Sequence, residues 1–324
     1  MCTAINFISN YSYFGRNLDI ECSYGEKAFI IPVNFPLSLN ADVTFEKKYA
    51  VLGIGTMIDG FPLLYDGINE CGVGMAALRF ADAEYSDVDA KMINIASYEF
   101  IIYILRYISS CDEALDFLKN TNITNKAFSD NIPPSPLHWM ISDKTKSIVV
   151  ECVHGIMKIY DNPVGVVSNM PDFNMQLFAL NNFMGLSKAP IKNLFSEKID
   201  LNVYSLGMGA IGLPGDLSSM SRFVRACFTK YNSKTSFTKD EYAISQFFHI
   251  LGSVCQQDGC AMLESGEFEK TLYTSCYDVE KFTLYYTTYN NHRITKIVPE
   301  FEVLKSDSIK SFNLRFNEDI FEER

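Results

Sequence analysis

An α+β protein built in stacked layers, with helices laid over antiparallel or mixed sheet, is the fold class this sequence predicts. Two observations carry it. The expected elements run strands, helices, strands, helices, strands, without the regular strand–helix alternation of a parallel sheet. No Pro/Gly/Ser-rich linker and no internal repeat divides the 324 residues, so a single domain over 1–324 is expected. Length alone would allow about two.

The elements follow in order. CTAINFI is short and β-prone, the polar SNYS is a turn, and YFGRNLDI returns as the second arm of a hairpin. AFIIPV and KYAVLGIGTMI are strands rich in β-branched residues, with turns at Asp59-Gly60 and at Asn69 to Gly72. From about Ser97 to Lys119 apolar residues recur at helical spacing, with Ser97 and Ser110 as caps. PLHWMISDKTKSIVVECVHGIMKIY is sheet again, turning at Asp143-Lys144. PDFNMQLFALNNFM is a helix with Pro171 near its start, and SRFVRACFTKY is another. TKDEYAISQFFHILG opens with Thr238 and Glu241 at capping-box spacing and has Gly252 as its C-cap. TLYTSCYDVEKFTLYYTTYNN is a late hairpin, and the charged tail after Phe301 wraps the surface.

Apolar residues make up 48% and charged residues 21%, enough to bury a core without staples. The net charge of -11 argues against a nucleic-acid partner, which needs clustered Lys and Arg. The nine cysteines are odd in number, scattered and free of CxxC, and the four histidines lie far from paired cysteines. This excludes a zinc-type ligand pattern and points to small core residues in a reducing, cytoplasmic setting. No secretory signal and no membrane insertion are expected. The most apolar helical stretch, YEFIIYILRYI, is interrupted by Glu99 and Arg106 and is expected to pack in the core.

GMGAIG, Gly207 to Gly212, matches GxGxxG, but Leu213-Pro214-Gly215-Asp216 follows and breaks the helix that a dinucleotide fingerprint requires. A glycine-rich loop is the better assignment.

MCTAINF places a cysteine directly after Met1. Aminopeptidases accept a small second residue, so removal of Met1 is expected. Cys2 would then carry a thiol and a free α-amine together. An α-amine titrates at roughly 7.7–8.0 against roughly 10.4 for lysine, so it can serve as a base near neutral pH. One residue would supply nucleophile and base. Taken alone, a cysteine here is more often without function. YFGRNLD adds Arg16 and Asp19 on the pairing strand. Their spacing of three puts them on opposite faces of a regular strand, unless a bend or bulge near Asn17 brings both to Cys2. Arginine favours a thiolate, and aspartate can orient the amine. An incidental charge pair on a surface strand is the competing assignment.

MCTAINF, YFGRNLD, SNMPDF, GLPGD and SRFVR occur in the order found in the choloylglycine hydrolase family, the bile salt hydrolases and penicillin V acylases among the N-terminal nucleophile hydrolases. The chain resembles that family over nearly its whole length, through HILGSV and the late YTTY strand. The resemblance implies a four-layer αββα sandwich, Cys2 as nucleophile once Met1 is lost, and Arg16 and Asp19 as the charged pair beside it. It implies Asn169 as an oxyanion-hole amide and Arg222 as a site arginine, with Arg225 a surface or packing residue. Bile salt hydrolases of the family usually carry asparagine in a GLNF segment; here the segment reads AALRF, so that position is Arg79. The resemblance implies that this residue's backbone N–H completes the oxyanion hole, a role that survives a change of side chain. The Arg79 side chain either attracts a leaving group's carboxylate or sulfonate, or crowds the pocket in favour of another acyl group.

The activity implied is hydrolysis of glycine- or taurine-conjugated bile salts, with no metal or organic cofactor, by a homotetramer. Such a small-molecule amphipathic amide needs a mostly apolar pocket. Leu18, Tyr24 and Phe61 lie near the motifs and are pocket candidates, with core packing as their alternative. The competing activities are a penicillin V acylase or another N-acyl amide hydrolase, including one acting on acyl homoserine lactones. A non-catalytic binding protein on the same scaffold need not keep all five motif residues, and a thiol redox protein lacks its CxxC.

Overall fold

A computed structural model describes residues 1–40 and 47–324. The first two strands are buried almost without interruption, so both faces of their sheet are covered, one by a second sheet and one by helices. In the hairpin of Cys2–Ile8 and Ser12–Ile20, Cys2 lies opposite Leu18 and Ala4 opposite Arg16. Residues directly opposite share a face, so Cys2, Ala4, Phe14, Arg16 and Leu18 point one way and Thr3, Asn17 and Asp19 the other.

The first sheet has seven strands, all antiparallel, ordered Val166–Val167, Cys2–Ile8, Ser12–Ile20, Phe268–Asp278, Thr283–Thr288 and Asn291–Ile297, with Ala261–Met262 on the Phe268–Asp278 strand. The second has eight, also antiparallel: Ile156–Asp161, Ser147–Val153, Leu137–Ser142, Gly74–Arg79, Phe61–Asn69, Val51–Ile58, Lys27–Ile31 and Lys310–Asn313. Between them lies a core of Ala4, Phe14 and Leu18 from one side and Ala28, Leu52, Ile68, Leu78 and Met140 from the other. Helices Ser219–Asn232 and Asp240–Gly252 bury Phe223, Val224, Phe247 and Leu251 on the far face of the first sheet. Helix Phe100–Tyr107 and helix Cys111–Leu118 cover the second sheet, packing on Phe29, Val51, Met75 and Trp139. The layers therefore run α, β, β, α, as expected.

Several local expectations change. The helical stretch 97–119 is two helices, parted by extended backbone at Ile108 and restarted by Ser110, whose side chain accepts from Glu113 N. Ser97 does not cap: it opens a short 3₁₀ turn preceded by Ala96. Thr238 is not a cap either, because helix Asp240–Gly252 has Lys239 at the N-cap, and Gly252 is its last residue rather than its cap. Asp172, next to Pro171, caps helix Phe173–Ala179 and accepts from Met175 N. The tail does more than wrap the surface, since Lys310–Asn313 pairs with Lys27–Ile31 and closes the edge of the second sheet. GMGAIG is a loop with a single 3₁₀ turn, Met208–Ala210. Arg106 is buried in its helix and donates to the carbonyls of Pro32, Tyr49, Val33 and Phe35, which satisfies a charge the core would otherwise reject. Among the described residues no helix is long and apolar enough to cross a membrane.

Candidate active site

The site forms at the end of the first strand, where the sheets face each other. Cys2 is 4% exposed. Its Sγ accepts from Arg16 Nη2, reached across the strand pair on the shared inner face. Arg16 is itself buried, and its Nη1 donates to the carbonyls of Ala77 and Tyr65 on the second sheet. Those carbonyls are free because the pairing of Phe61–Asn69 with Gly74–Arg79 ends at Asp66 opposite Ala76, and the guanidinium enters where the two strands part. Burial opposes the Arg16 charge, but Cys2, Tyr273, Asp66 and Asp19 outweigh it and hold the group above its ordinary value.

Asp19 keeps to the other face. The register between the first two strands is regular, so the bulge considered at Asn17 is absent; the irregularity falls on the partner strand, between Thr271 and Tyr273. Asp19 exchanges backbone hydrogen bonds with Met1, Asp19 N to Met1 O at 3.0 Å and the Met1 amine to Asp19 O at 2.7 Å. The same amine donates to Glu269 Oε1 at 2.8 Å. Asp19 Oδ1 accepts from Thr271 Oγ1 at 2.6 Å, while its buried Oδ2 lacks a hydrogen-bond partner among the described residues. Burial pushes the Asp19 carboxyl above the usual carboxylate range, against the pull of Arg222, the amino terminus, Thr271 and Arg16.

Asn169 and Arg222 close the site from the loop and the helix. Ser218 caps helix Ser219–Asn232 and sets its first turn, which points Arg222 at the strand end. Arg222 Nη1 donates to Cys2 O and Thr3 Oγ1, both at 2.5 Å, and Nη2 to Asn169 Oδ1 at 2.6 Å. Arg222 Nη1 lies 3.8 Å from Asp19 Oδ2. Burial pulls the Arg222 guanidinium down, against Asp19, Cys2 and Glu269. Both partners of this pair are pushed toward neutrality by burial, and the arginine's close bonds all go to neutral acceptors. Arg225, one turn on, fastens the Ser253, Pro214 and Asp216 carbonyls instead, a packing role.

Asn169 Oδ1 also accepts from Cys2 N at 2.8 Å, and its Nδ2 donates to Arg79 O at 2.7 Å. The Arg79 backbone is therefore in the site. Phe80 N donates to Pro136 O across the sheet, so Arg79, one residue earlier, turns its N–H and C=O to the opposite edge, where Asn169 stands. The Arg79 side chain is exposed.

The three pocket candidates separate. Leu18 is buried opposite Cys2 and belongs to the core between the sheets. Phe61 is half-buried and packs edge-on to Tyr98 and against Phe128. Tyr24 is 57% exposed at the turn after the second strand. A cavity of about 100 Å³ lined by Leu63, Tyr65, Ala77, Tyr98, Phe128 and Leu137 adjoins the carbonyls that hold Arg16. A cavity of about 1050 Å³ lies beside helix Asp240–Gly252, and Cys2 is not among its lining residues. The sequence reading missed Thr3, Thr271, Glu269 and the carbonyls of Ala77 and Tyr65. Carbonyls carry no residue signature, and the side chains come from distant segments without a motif.

The pattern of the linear amide C–N hydrolases, choloylglycine hydrolase family, matches residues 2–312. The chain is 47% identical over 316 residues to a bile salt hydrolase/transferase of Lactiplantibacillus plantarum, covering 97% of each chain. It is 38% identical to a bile salt hydrolase/transferase of Clostridium perfringens, covering 96% of each. Its structure superposes on a C2A mutant of the conjugated bile acid hydrolase from Clostridium perfringens with a TM-score of 0.91 and 36% identity over the full length of both chains. Penicillin V acylase from Agrobacterium tumefaciens shares the fold, with a TM-score of 0.75 and 22% identity over 96% of this chain and 91% of that one.

Proposed function

Because the chain belongs to the choloylglycine hydrolase family of linear amide C–N hydrolases, we propose that it cleaves the amide of glycine- or taurine-conjugated bile salts with Cys2 as the nucleophile. The observation that carries this reading is the convergence on Cys2: Arg16 on its sulfur, Asn169 on its nitrogen and Arg222 on its carbonyl.

Loss of Met1 turns the Cys2 N–H into an amine beside Asn169 Oδ1, with the unpaired Asp19 Oδ2 on the face behind. The sulfur attacks the amide carbonyl. The amine takes the thiol proton and passes it to the departing glycine or taurine. Asn169 Nδ2 leaves Arg79 O to meet the oxyanion together with the Arg79 N–H. Water then releases the bile acid from the thioester. The reading calls for no metal or organic cofactor. Arg79, whose backbone meets Asn169 and whose side chain is exposed, sets selectivity, either through the anionic tail of the substrate or by crowding the pocket in favour of another acyl group.

We place the enzyme in the cytoplasm as a homotetramer. All nine cysteines are free, which suits a reducing compartment. Met184, Leu194, Phe195, Tyr204 and Leu206, all within the segment 184–206, each expose at least 80% of their surface, which suits burial against other subunits. The test is a parallel assay of glycocholate, taurocholate and penicillin V, with intact-mass measurement of the purified protein. Wild type lacking Met1 is expected to release glycine or taurine, and folded Cys2→Ser to lose that activity. Full activity in Cys2→Ser, or in protein that keeps Met1, would refute the mechanism.

A further inference from the structure

Two donors are asked to meet one oxyanion, and they come from different segments: Asn169 from a loop and Arg79 N–H from a strand. Something must hold the segments at a fixed separation, since a misplacement of about 1 Å costs about 10²-fold. We propose that His138, fully buried on the inner face of the second sheet opposite Leu78, is the positioning residue that ties these two halves of the oxyanion cradle together.

Its contacts reach both halves. His138 Nε2 lies 2.8 Å from Ser168 O, the residue before Asn169. The ring stacks on Phe80, the residue after Arg79, with centroids 4.8 Å apart and planes 9° from parallel. His138 Nδ1 lies 3.0 Å from Glu151 Oε1. A carbonyl only accepts, so the Ser168 contact assigns a proton to Nε2. Nδ1 and the Glu151 carboxyl stand at hydrogen-bond distance and complete the ring's contacts.

Glu151 extends the tie. Its oxygens accept from Phe173 N at 3.1 and 3.3 Å, which fastens the start of helix Phe173–Ala179. That helix supplies Gln176, which donates to Asn169 O at 2.6 Å and accepts from Ser168 Oγ at 3.0 Å. The Asn169 segment is thus held in front through Ser168 and behind through Phe173, both by way of His138 and its partner. The donation from Nε2 is what places Asn169; the ionic character of the Glu151 contact is not required.

The inference rests on the oxyanion assignment above, and its test separates the two. In His138→Asn the amide overlies Nδ1, keeps Glu151 and falls short of Ser168. Expected is a kcat about ten- to hundredfold lower with KM little changed, less than outright loss of an oxyanion donor. Alkylation of Cys2 by iodoacetamide, followed by peptide mass, forms no oxyanion and is expected to keep its wild-type rate. His138→Gln, whose amide reaches the Nε2 position, is expected to recover part of kcat. Glu151→Gln can donate to Nδ1 and still accept from Phe173, and is expected to lose less than His138→Asn. Wild-type kcat in His138→Asn would overturn the proposal, as would a parallel fall in alkylation. If His138→Asn does not fold, a folded Glu151→Gln with more than a hundredfold loss of kcat would overturn it. Failure of wild type to cleave glycocholate, or activity in Cys2→Ser, would instead strike the underlying function.

Discussion

Asn169→Asp separates the two jobs of one carboxamide. In the structure Oδ1 accepts from Cys2 N at 2.8 Å and from Arg222 Nη2 at 2.6 Å, while Nδ2 donates to Arg79 O at 2.7 Å. Aspartate is isosteric. It keeps both accepted bonds, strengthens the one from the guanidinium, and loses only the donor. A stability cost falls on the Arg79 carbonyl, now facing a carboxylate, about 1–3 kcal/mol if that part-buried acceptor goes unpaired. The rate cost is that of one oxyanion donor, about 10²–10³ in kcat, or about 2.7–4 kcal/mol of barrier. Asn169→Ala shares the rate cost but also strands Arg222 Nη2 and Cys2 N, so its stability loss is larger. The assays are kcat and KM on glycocholate, and urea denaturation of both variants. If Asn169→Asp keeps kcat within tenfold of wild type, the carboxamide is not an oxyanion donor and the reasoning fails.

Two further outcomes follow from the same geometry. Arg79→Asn leaves the backbone donor in place and changes only an exposed side chain, so it is expected to shift the ratio of glycocholate, taurocholate and penicillin V turnover more than turnover of the best substrate. An unchanged ratio removes Arg79 from selectivity. Asp66 is buried between the hydroxyls of Tyr273 and Tyr277; burial raises its carboxyl above the usual value, against the pull of Arg16 and both tyrosines. The folded state therefore holds this proton more tightly than the unfolded state. Stability from this group is full below the ordinary carboxylate range and is lost as pH rises toward the raised value, by at most about 1.4 kcal/mol per pH unit. Asp66→Asn does not titrate, so its melting temperature is expected to gain on wild type as pH rises through that window. A constant difference across pH would show that Asp66 does not titrate there.

What could be read from sequence was whatever depends on local pattern or on a motif. The first hairpin, the late hairpin and the two outer helix layers follow from periodicity and turn residues. Cys2, Arg16, Asp19, Asn169 and Arg222 lie in motifs, and the structure gathers them. The misread helix ends have local causes. Thr238 and Glu241 match a capping box in spacing, but Lys239 takes the extended N-cap position and Asp240 turns to Lys281. The break at Ile108 was signalled by Ser110 and Glu113 at capping-box spacing: Ser110 Oγ accepts from Glu113 N, and the Glu113 carboxylate reaches back to accept from Ser109 N, one residue before the cap. Thr271, Asp66 and His138 were out of reach, because only the stacking of two sheets brings residues so distant in sequence to the same site.

The placement of Arg16 and Asp19 shows how an odd spacing brings two charged groups to different ends of one residue. A strand-end cysteine has two reactive ends in different directions. Its sulfur leaves the sheet on one face, and its nitrogen continues along the strand axis, reachable from the other face. Residues at even spacing would both crowd the sulfur. A spacing of three on a regular strand sends Arg16 inward to Sγ and Asp19 outward, opposite residue 1, beneath Arg222. No bulge is needed, and a bulge would spoil the arrangement by carrying both charges to one face. The regular register of the hairpin is therefore part of the geometry around Cys2. A one-residue slip between Cys2–Ile8 and Ser12–Ile20 would exchange the two charged partners while leaving every motif residue in the sequence.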